Sequence, residues 1–286
     1  RLMLVNLTSF VKDPWSKSPE FDYGHYANVV QKAQRLMDDM IDLELEQIDK
    51  IIHKIERDPE PANVKEIELN LWKNIKKAAS NGRRTGLGIT GLGDALAMMG
   101  ITYGSSESVK TTEEIYKWLS LNSYESSIQL AIERGAFPIW SYEKEKDHPF
   151  LTQVISELLP ERHEDYQKFG RRNIANTTTA PAGSVSCLTQ TTSGIEPAFM
   201  LHYTRRKKIN PNDKTATVDF IDASGDEWTE FTVYHHGFNG WLNSLHAPDQ
   251  PGKFTTEKLV ELSPYSNSTA NEINWVNKVK MQSAAQ

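Results

Sequence analysis

Apolar residues recur at helical spacing from residue 23 to about 57, through Tyr26, Val29, Val30, Ala33, Leu36, Met37, Met40, Ile41, Ile48, Ile51, Ile52 and Ile55. That spacing predicts one long amphipathic helix, or two collinear ones. Asp58-Pro59-Glu60-Pro61 ends it, because proline lacks the amide N–H and crowds the preceding turn. The same period predicts helices over 64–79, 91–99, 105–133, 151–159 and 255–262. A last helix opens at Thr269, with Glu272 in capping-box spacing. Between them lie short runs of β-branched, aromatic or small apolar residues. These predict buried strands at 2–11 and 173–179, a short Gly-rich segment at 85–90, and strand-like stretches at 218–221 and 230–234. Helices alternating with a few short strands make an α/β pattern, with no internal repeat.

Composition narrows the class. The chain has 286 residues, 38% hydrophobic and 24% charged, enough to bury a sizeable core. A net charge of −6 argues against a broad nucleic-acid surface, and the basic run 205–208 reads as a solvated strand end. The single cysteine, Cys187, leaves no internal disulfide and no cysteine-based metal cluster, and fits a reducing, cytoplasmic setting. No apolar run approaches the length of a membrane span. Residue 1 opens directly into a strand pattern and the last helix stops without a cap, so the chain reads as an internal fragment of a longer protein.

Several groups invite a chemical reading. Asp38, Asp39, Asp42, Glu44 and Glu46 crowd one helix, and Asp38 and Asp42 share a face. No histidine stands at ligand spacing, so a solvated polar face is the better account than a metal site. Gly86, Gly88 and Gly91 spell G-x-G-x-x-G, but a dinucleotide fingerprint follows a strand, and helix and turn precede this one. The glycines then serve close packing of a strand and its following helix. His235 and His236 are adjacent at a strand end, where side chains face opposite ways, so they do not chelate one metal together. Arg83-Arg84 reads as structural, and Arg171-Arg172 as the N-terminal end of a strand.

Residues 177–197, TTTAPAGSVSCLTQTTSGIEP, say most about function. A strand running into a small-residue loop and then a helix is one way to hold phosphate. The amides of Gly183, Ser184, Val185 and Ser186 would be free at the helix start. From the residues alone an ordinary strand-to-helix turn is the better account, because small-residue turns are common and phosphate loops are not.

The segments GRRTGLGITGLGDALAMMG, ERGAFP, RRNIANTTTAPAGSVS, SGIEPAFMLHYTRR and VNKVKMQSAAQ occur in this order. Together they resemble the catalytic subunit of ribonucleotide reductase, end to end over 1–286. The stretch RRKKINPNDKTATVDFIDASGDEWTEFTVYHH resembles an insertion, about 206–236, of one branch of the adenosylcobalamin-dependent class. That favours this class over reductases with a separate radical-generating subunit; a nucleotide-binding module without redox chemistry is the other alternative.

The resemblance implies a ten-stranded α/β barrel, of which 1–286 is a part, and replacement of the ribose 2′-OH by hydrogen through a thiyl radical. Adenosylcobalamin would generate the radical. The partners implied are a ribonucleoside di- or triphosphate, a thioredoxin-like reductant, dNTP effectors on the full chain, and a possible homodimer; no nucleic acid or membrane is implied. The finger-loop Asn-x-Cys-x-Glu motif and the paired redox cysteine would lie upstream of Arg1. No catalytic residue and no metal site is therefore assigned here, the fragment alone is expected to be inactive, and Cys187 is expected to be a buried thiol without a redox role. What carries over is a substrate phosphate loop, Ala180, Pro181, Ala182, Gly183, Ser184, Val185 and Ser186, supported by Ser193, Gly194 and Glu196. Relatives usually carry Thr where this chain has Ala182, and Ser184 is the expected substitute donor.

Overall fold

The computed structural model describes residues 1–210, 215–245 and 254–286. The chain opens with strand β1 (Leu2–Asn6), a single 3-10 turn (Leu7–Phe10), and short strands β2 (Val11–Lys12) and β3 (Glu20–Phe21). The single strand expected over 2–11 is thus broken. Asn6 breaks it, since its side-chain oxygen accepts the Thr8 N–H and caps the turn.

Helix α1 (Tyr23–Arg57) is one continuous helix, capped by Asp22 accepting the His25 N–H at 2.9 Å. Helix α2 (Ala62–Gly82) packs back on it and ends at Arg83 in the left-handed conformation. Then come β4 (Gly86–Thr90), α3 (Leu92–Met98) and α4 (Ser106–Arg134), the last capped by Ser105. Short helices α5 (Tyr142–Glu145) and α6 (Pro149–Leu151) follow. The helix expected over 151–159 is mostly a π-helix, Thr152–Glu157, leading to α7 (His163–Phe169).

After α8 (Gly183–Thr189) come β5 (His202–Lys208), β6 (Phe220–Ile221) and β7 (Glu227–Tyr234). They form an antiparallel sheet in the order β5-β7-β6. The basic run lies on β5, where Arg206 and Lys208 pair with Glu230 and Asp226. Part of the stretch read as an insertion, 211–214, falls outside the described residues. The chain closes with α9 (His236–Ser244), α10 (Thr256–Leu262) and α11 (Trp275–Ala284). Glu272 does accept the Thr269 N–H and hydroxyl, but this box closes a turn. The final helix starts later, on Asn274 as its own cap.

The parallel core is β1 beside β4, from Leu2↔Gly86 to Asn6↔Thr90. Residues 173–178 lie on the other side of β4. Leu87 N–H donates to Asn176 O and Thr178 N–H to Leu87 O, the pattern of a parallel bridge at Thr177. Thr85 N–H reaches Ala175 O rather than the carbonyl that would continue the register. The expected strand over 173–179 is therefore a single bridge. Val5, Leu87 and Ile89 from the strands, Tyr26, Val30 and Met37 from α1, Leu92 and Leu96 from α3, and Ile115 and Leu119 from α4 form one buried cluster. Burying each such side chain contributes about 1.5–3 kcal/mol.

The glycines of G-x-G-x-x-G make this core possible. A Cβ on Gly86 would come within 2.7 Å of Leu2 Cδ2, and one on Gly88 within 2.7 Å of Thr178 O. Gly91 has φ +79 and caps α3. These are packing roles, as the missing preceding strand implied.

At the N-terminal end of these strands, Asp38 departs from the solvated reading of the acidic face, while Asp39, Asp42, Glu44 and Glu46 stay half-buried or exposed. Asp38 is fully buried, and Oδ1 accepts Arg83 Nε at 2.8 Å and Asn173 Nδ2 at 3.0 Å. Its Oδ2 accepts Arg172 Nε at 3.1 Å and Arg134 Nη1 at 3.4 Å. Burial would push this carboxyl up, but Arg83 and Arg172 outweigh it and hold it below the ordinary carboxylate value. Arg83 also meets Asp42 at 2.8 Å, which makes it structural.

Candidate functional site

The C-terminal ends of β1, β4 and the 173–178 segment share one side of the molecule, since all three run parallel. The 177–197 segment emerges there. Thr179 is within 3.4 Å of the Tyr116 hydroxyl on α4. Ala180 and exposed Pro181 then lead to Ala182, whose methyl is buried, 1% exposed. Ala182 is the residue before α8, and no side chain caps the helix.

Helix α8 has three first-turn amides that it does not use itself: Gly183, Ser184 and Val185. Ser186 is different. Its N–H donates to Ala182 O at 2.6 Å and its hydroxyl to Gly183 O at 2.9 Å. The expectation of four free amides is reduced to three, because Ser186 closes the first turn. Ser184 is exposed and its hydroxyl has no hydrogen-bond partner among the described residues, so it is available as a donor. A Cβ on Gly183 would meet nothing within 4 Å, so the space above the helix start is open.

Cys187 lies on α8 and is exposed, which corrects the expected burial. The helix is only seven residues long and sits at the surface, so the face that carries Cys187 has nothing to bury against.

Ser193, Gly194 and Glu196 form a corner against α3. Leu92 N–H donates to Gly194 O at 3.2 Å, and Glu196 N–H to Ser193 O at 2.8 Å. Gly194, at φ +51, stands where a Cβ would lie 3.5 Å from Ala180 O, so corner and loop run close together. The Glu196 side chain is exposed and makes no ion pair among the described residues. Beside the loop, a cavity of about 600 Å³ is lined by Thr177, Thr178, Thr179, Tyr116, Lys117 and other residues. Behind the corner, a second cavity of about 550 Å³ is lined by Ser186, Ser193, Glu196 and His235, among others.

The residue that sequence reasoning missed here is Asp94. It is 2% exposed and accepts hydrogen bonds from Thr192 N–H, the Tyr265 hydroxyl and His235 Nε2, each at 2.7 Å. Asp94 in the first turn of α3 was legible as a helix-start acid. Its partners, about 100 to 170 residues away in sequence, were not. β7 ends at Tyr234, so neither histidine lies on the strand as expected: His235 reaches Asp94, and His236 begins α9. Among the described residues no three His, Cys, Asp or Glu side chains gather to hold a metal ion. No described helix is long and apolar enough to cross a membrane.

A family model described as "Ribonucleotide reductase, barrel domain" matches residues 1–223. The chain is similar to the vitamin B12-dependent ribonucleoside-diphosphate reductase of Mycobacterium tuberculosis (strain CDC 1551 / Oshkosh), 30% identical over 184 residues. That match covers 64% of this chain and 20% of that protein. The protein of the same name from Thermoplasma acidophilum is 29% identical over 201 residues, covering 70% of this chain and 20% of the relative. Among solved structures, the Actinobacillus ureae class Id ribonucleotide reductase alpha subunit aligns with a TM-score of 0.42 at 18% identity, over 70% of this chain and 28% of that one. The chain thus spans about a fifth of the length of these curated relatives.

Proposed function

This chain belongs to the ribonucleotide reductase barrel-domain family, and from that membership we propose that it contributes the substrate phosphate loop of an enzyme that reduces ribonucleotides to 2′-deoxyribonucleotides. The observation that carries the proposal is the α8 start: three unused amides beneath open space, at the C-terminal end of a parallel core. Helix starts of this kind favour anions through free N–H groups and the helix dipole. Gly183, Ser184 and Val185 would donate to phosphate oxygens, and the free Ser184 hydroxyl would serve in place of a side-chain donor at Ala182. Ala180 and Pro181 shape the approach, Ser186 closes the turn, and Ser193, Gly194 and Glu196 brace it from behind. On this reading 1–286 is part of the catalytic barrel domain, with the β5-β7-β6 sheet as its insertion.

The proposed substrate class is a ribonucleoside diphosphate, as in the names of the relatives, and the proposed cofactor is adenosylcobalamin, since both of those relatives are named vitamin B12-dependent. When bound, that cofactor supplies the radical that starts the reduction. The described histidines and carboxylates do not gather as a metal-ligand set, so no residue here is matched to it and no step is derived through it. A thioredoxin-like dithiol as reductant, dNTP effectors, a homodimer and a cytoplasmic setting are proposed with the same family reading. Reduction needs paired thiols, and this chain holds one cysteine, exposed on α8. The 286 residues by themselves are therefore predicted not to turn over any ribonucleotide; deoxynucleotide formation by the purified chain would contradict this.

The test uses the full-length gene product with a ribonucleoside diphosphate, a dithiol and adenosylcobalamin. The expected result is deoxynucleotide formation that depends on the cofactor. Turnover only with a separate radical-generating subunit would move the protein to the other reductase class. Nucleotide binding without reduction under either condition would sink the reductase reading.

A further inference from the structure

Asp94 is a buried carboxylate with no lysine or arginine paired to it among the described residues. Three donors hold it instead. Thr192 N–H reaches Oδ2, while the Tyr265 hydroxyl and His235 Nε2 both reach Oδ1, all at 2.7 Å. Burial, then the charge of Asp94, raises the Tyr265 phenol well above its ordinary value, so it remains a donor. The carboxylate thereby joins α3 to three distant stretches of chain: the 191–196 corner and the segments around 235 and 265.

Thr192 is held on every backbone side. Its carbonyl accepts Thr90 Oγ1 at 3.1 Å and Gly91 N–H at 3.0 Å, and its hydroxyl accepts Asp94 N–H at 3.3 Å. One residue earlier, Thr191 N–H donates to Ser186 O at 3.1 Å, so the corner also ties off α8. The bonds run without a gap from His235 and Tyr265, through Asp94 and Thr192, to the helix that bears the free amides. Two glycines keep the joint close: a Cβ on Gly93 would lie 2.9 Å from Glu196 O, and one on Gly237 would lie 2.7 Å from Asp94 Oδ1. The joint is not sealed in the core, because His235 lines the cavity it shares with Ser186, Ser193 and Glu196.

We propose that Asp94 is a positioning residue of the nucleotide site, fixing α8 so that its free amides meet the substrate phosphates, and that His235 is the donor that fixes the Asp94 carboxylate. This rests on the phosphate-loop reading above. Asp94 and His235 touch no substrate; they act through Thr192 and α8. Losing the His235 donor leaves Oδ1 held by the Tyr265 hydroxyl alone, so the carboxylate plane is less firmly fixed and the corner bonded to Oδ2 loosens with it.

The experiment compares His235→Ala, His235→Gln and Tyr265→Phe with Gly183→Asp as a loop control, in the full-length reductase. His235→Ala is expected to raise KM for the ribonucleotide roughly tenfold, as expected for a lost hydrogen bond to a charged group, with kcat changed less than about twofold. His235→Gln keeps an amide donor at similar reach and is expected to restore most of the loss. Should His235→Ala fail to fold, Tyr265→Phe is read the same way. A lowered thermal midpoint with KM unchanged would make the joint merely structural and overturn the proposal. If Gly183→Asp leaves KM unchanged, the phosphate reading itself fails. If Gly183→Asp raises KM and neither His235→Ala nor Tyr265→Phe does, only the positioning role fails. A His235→Ala effect without a Gly183→Asp effect also overturns it, since the route runs through α8.

Discussion

Asp38 and Cys187 show how far single residues could be read. The helical period placed Asp38 near its polar neighbours, yet it is fully buried under Arg83, Arg134, Arg172 and Asn173. Those partners sit 45 to 135 residues away, beyond the reach of any local pattern. Replacing Asp38 with Ala takes away the only carboxylate paired with Arg172 among the described residues and leaves buried Arg83 with Asp42 alone, and is expected to cost about 3 kcal/mol, read by urea unfolding. The pH dependence has a definite sign. The folded carboxyl lies below its unfolded value, so its contribution is present above about pH 4 and is lost as pH falls through the folded value. The stability gap between the native protein and Asp38→Asn is therefore expected to shrink below about pH 4; a gap that widens on acidification contradicts the hub. Cys187 was expected to be buried and is exposed. It should react with a thiol reagent in the native state, and, on the proposed function, Cys187→Ser is expected to leave ribonucleotide turnover by the full-length gene product within about twofold.

Elements were legible where their causes are local. The long α1, the Asp58-Pro59 break and the glycine-rich segment that forms β4 all follow from neighbouring residues. Boundaries failed where a second local signal competed. Asn6 caps a turn inside an apolar run, and Asn274 takes the role assigned to Thr269. The 173–178 segment lost its strand character because its register against β4 slips by one residue around Ala175. The glycine reading makes an element-scale prediction. Gly88→Ala would drive a methyl into the Thr178 carbonyl, a backbone atom that cannot step aside, and is expected to destabilise by about 1–3 kcal/mol in thermal or urea unfolding. Unchanged stability would show that β4 and the 173–178 segment are not packed this closely.

At the scale of the whole molecule, the parallel core has two unlike ends. The N-terminal end is locked by the Asp38 ion cluster, and the C-terminal end carries the α8 loop and the corner that braces it. Ligands commonly meet parallel α/β sheets at the C-terminal ends of the strands. The order of short motifs made the family legible in the sequence, and the family-model match shows it. The loop's surroundings were less legible, because Asp94, His235 and Tyr265 converge only in three dimensions.

The proposed phosphate loop is tested most directly by Gly183→Asp in the full-length gene product, with nucleotide affinity and thermal midpoint measured on the same sample. The substitution meets open space, and a carboxylate in the first turn favours the helix by about 0.3–1 kcal/mol, so the midpoint should hold or rise. The same charge beside a bound phosphate should weaken ribonucleotide binding by roughly tenfold or more. Unchanged affinity at an unchanged midpoint would contradict a phosphate site at the start of α8.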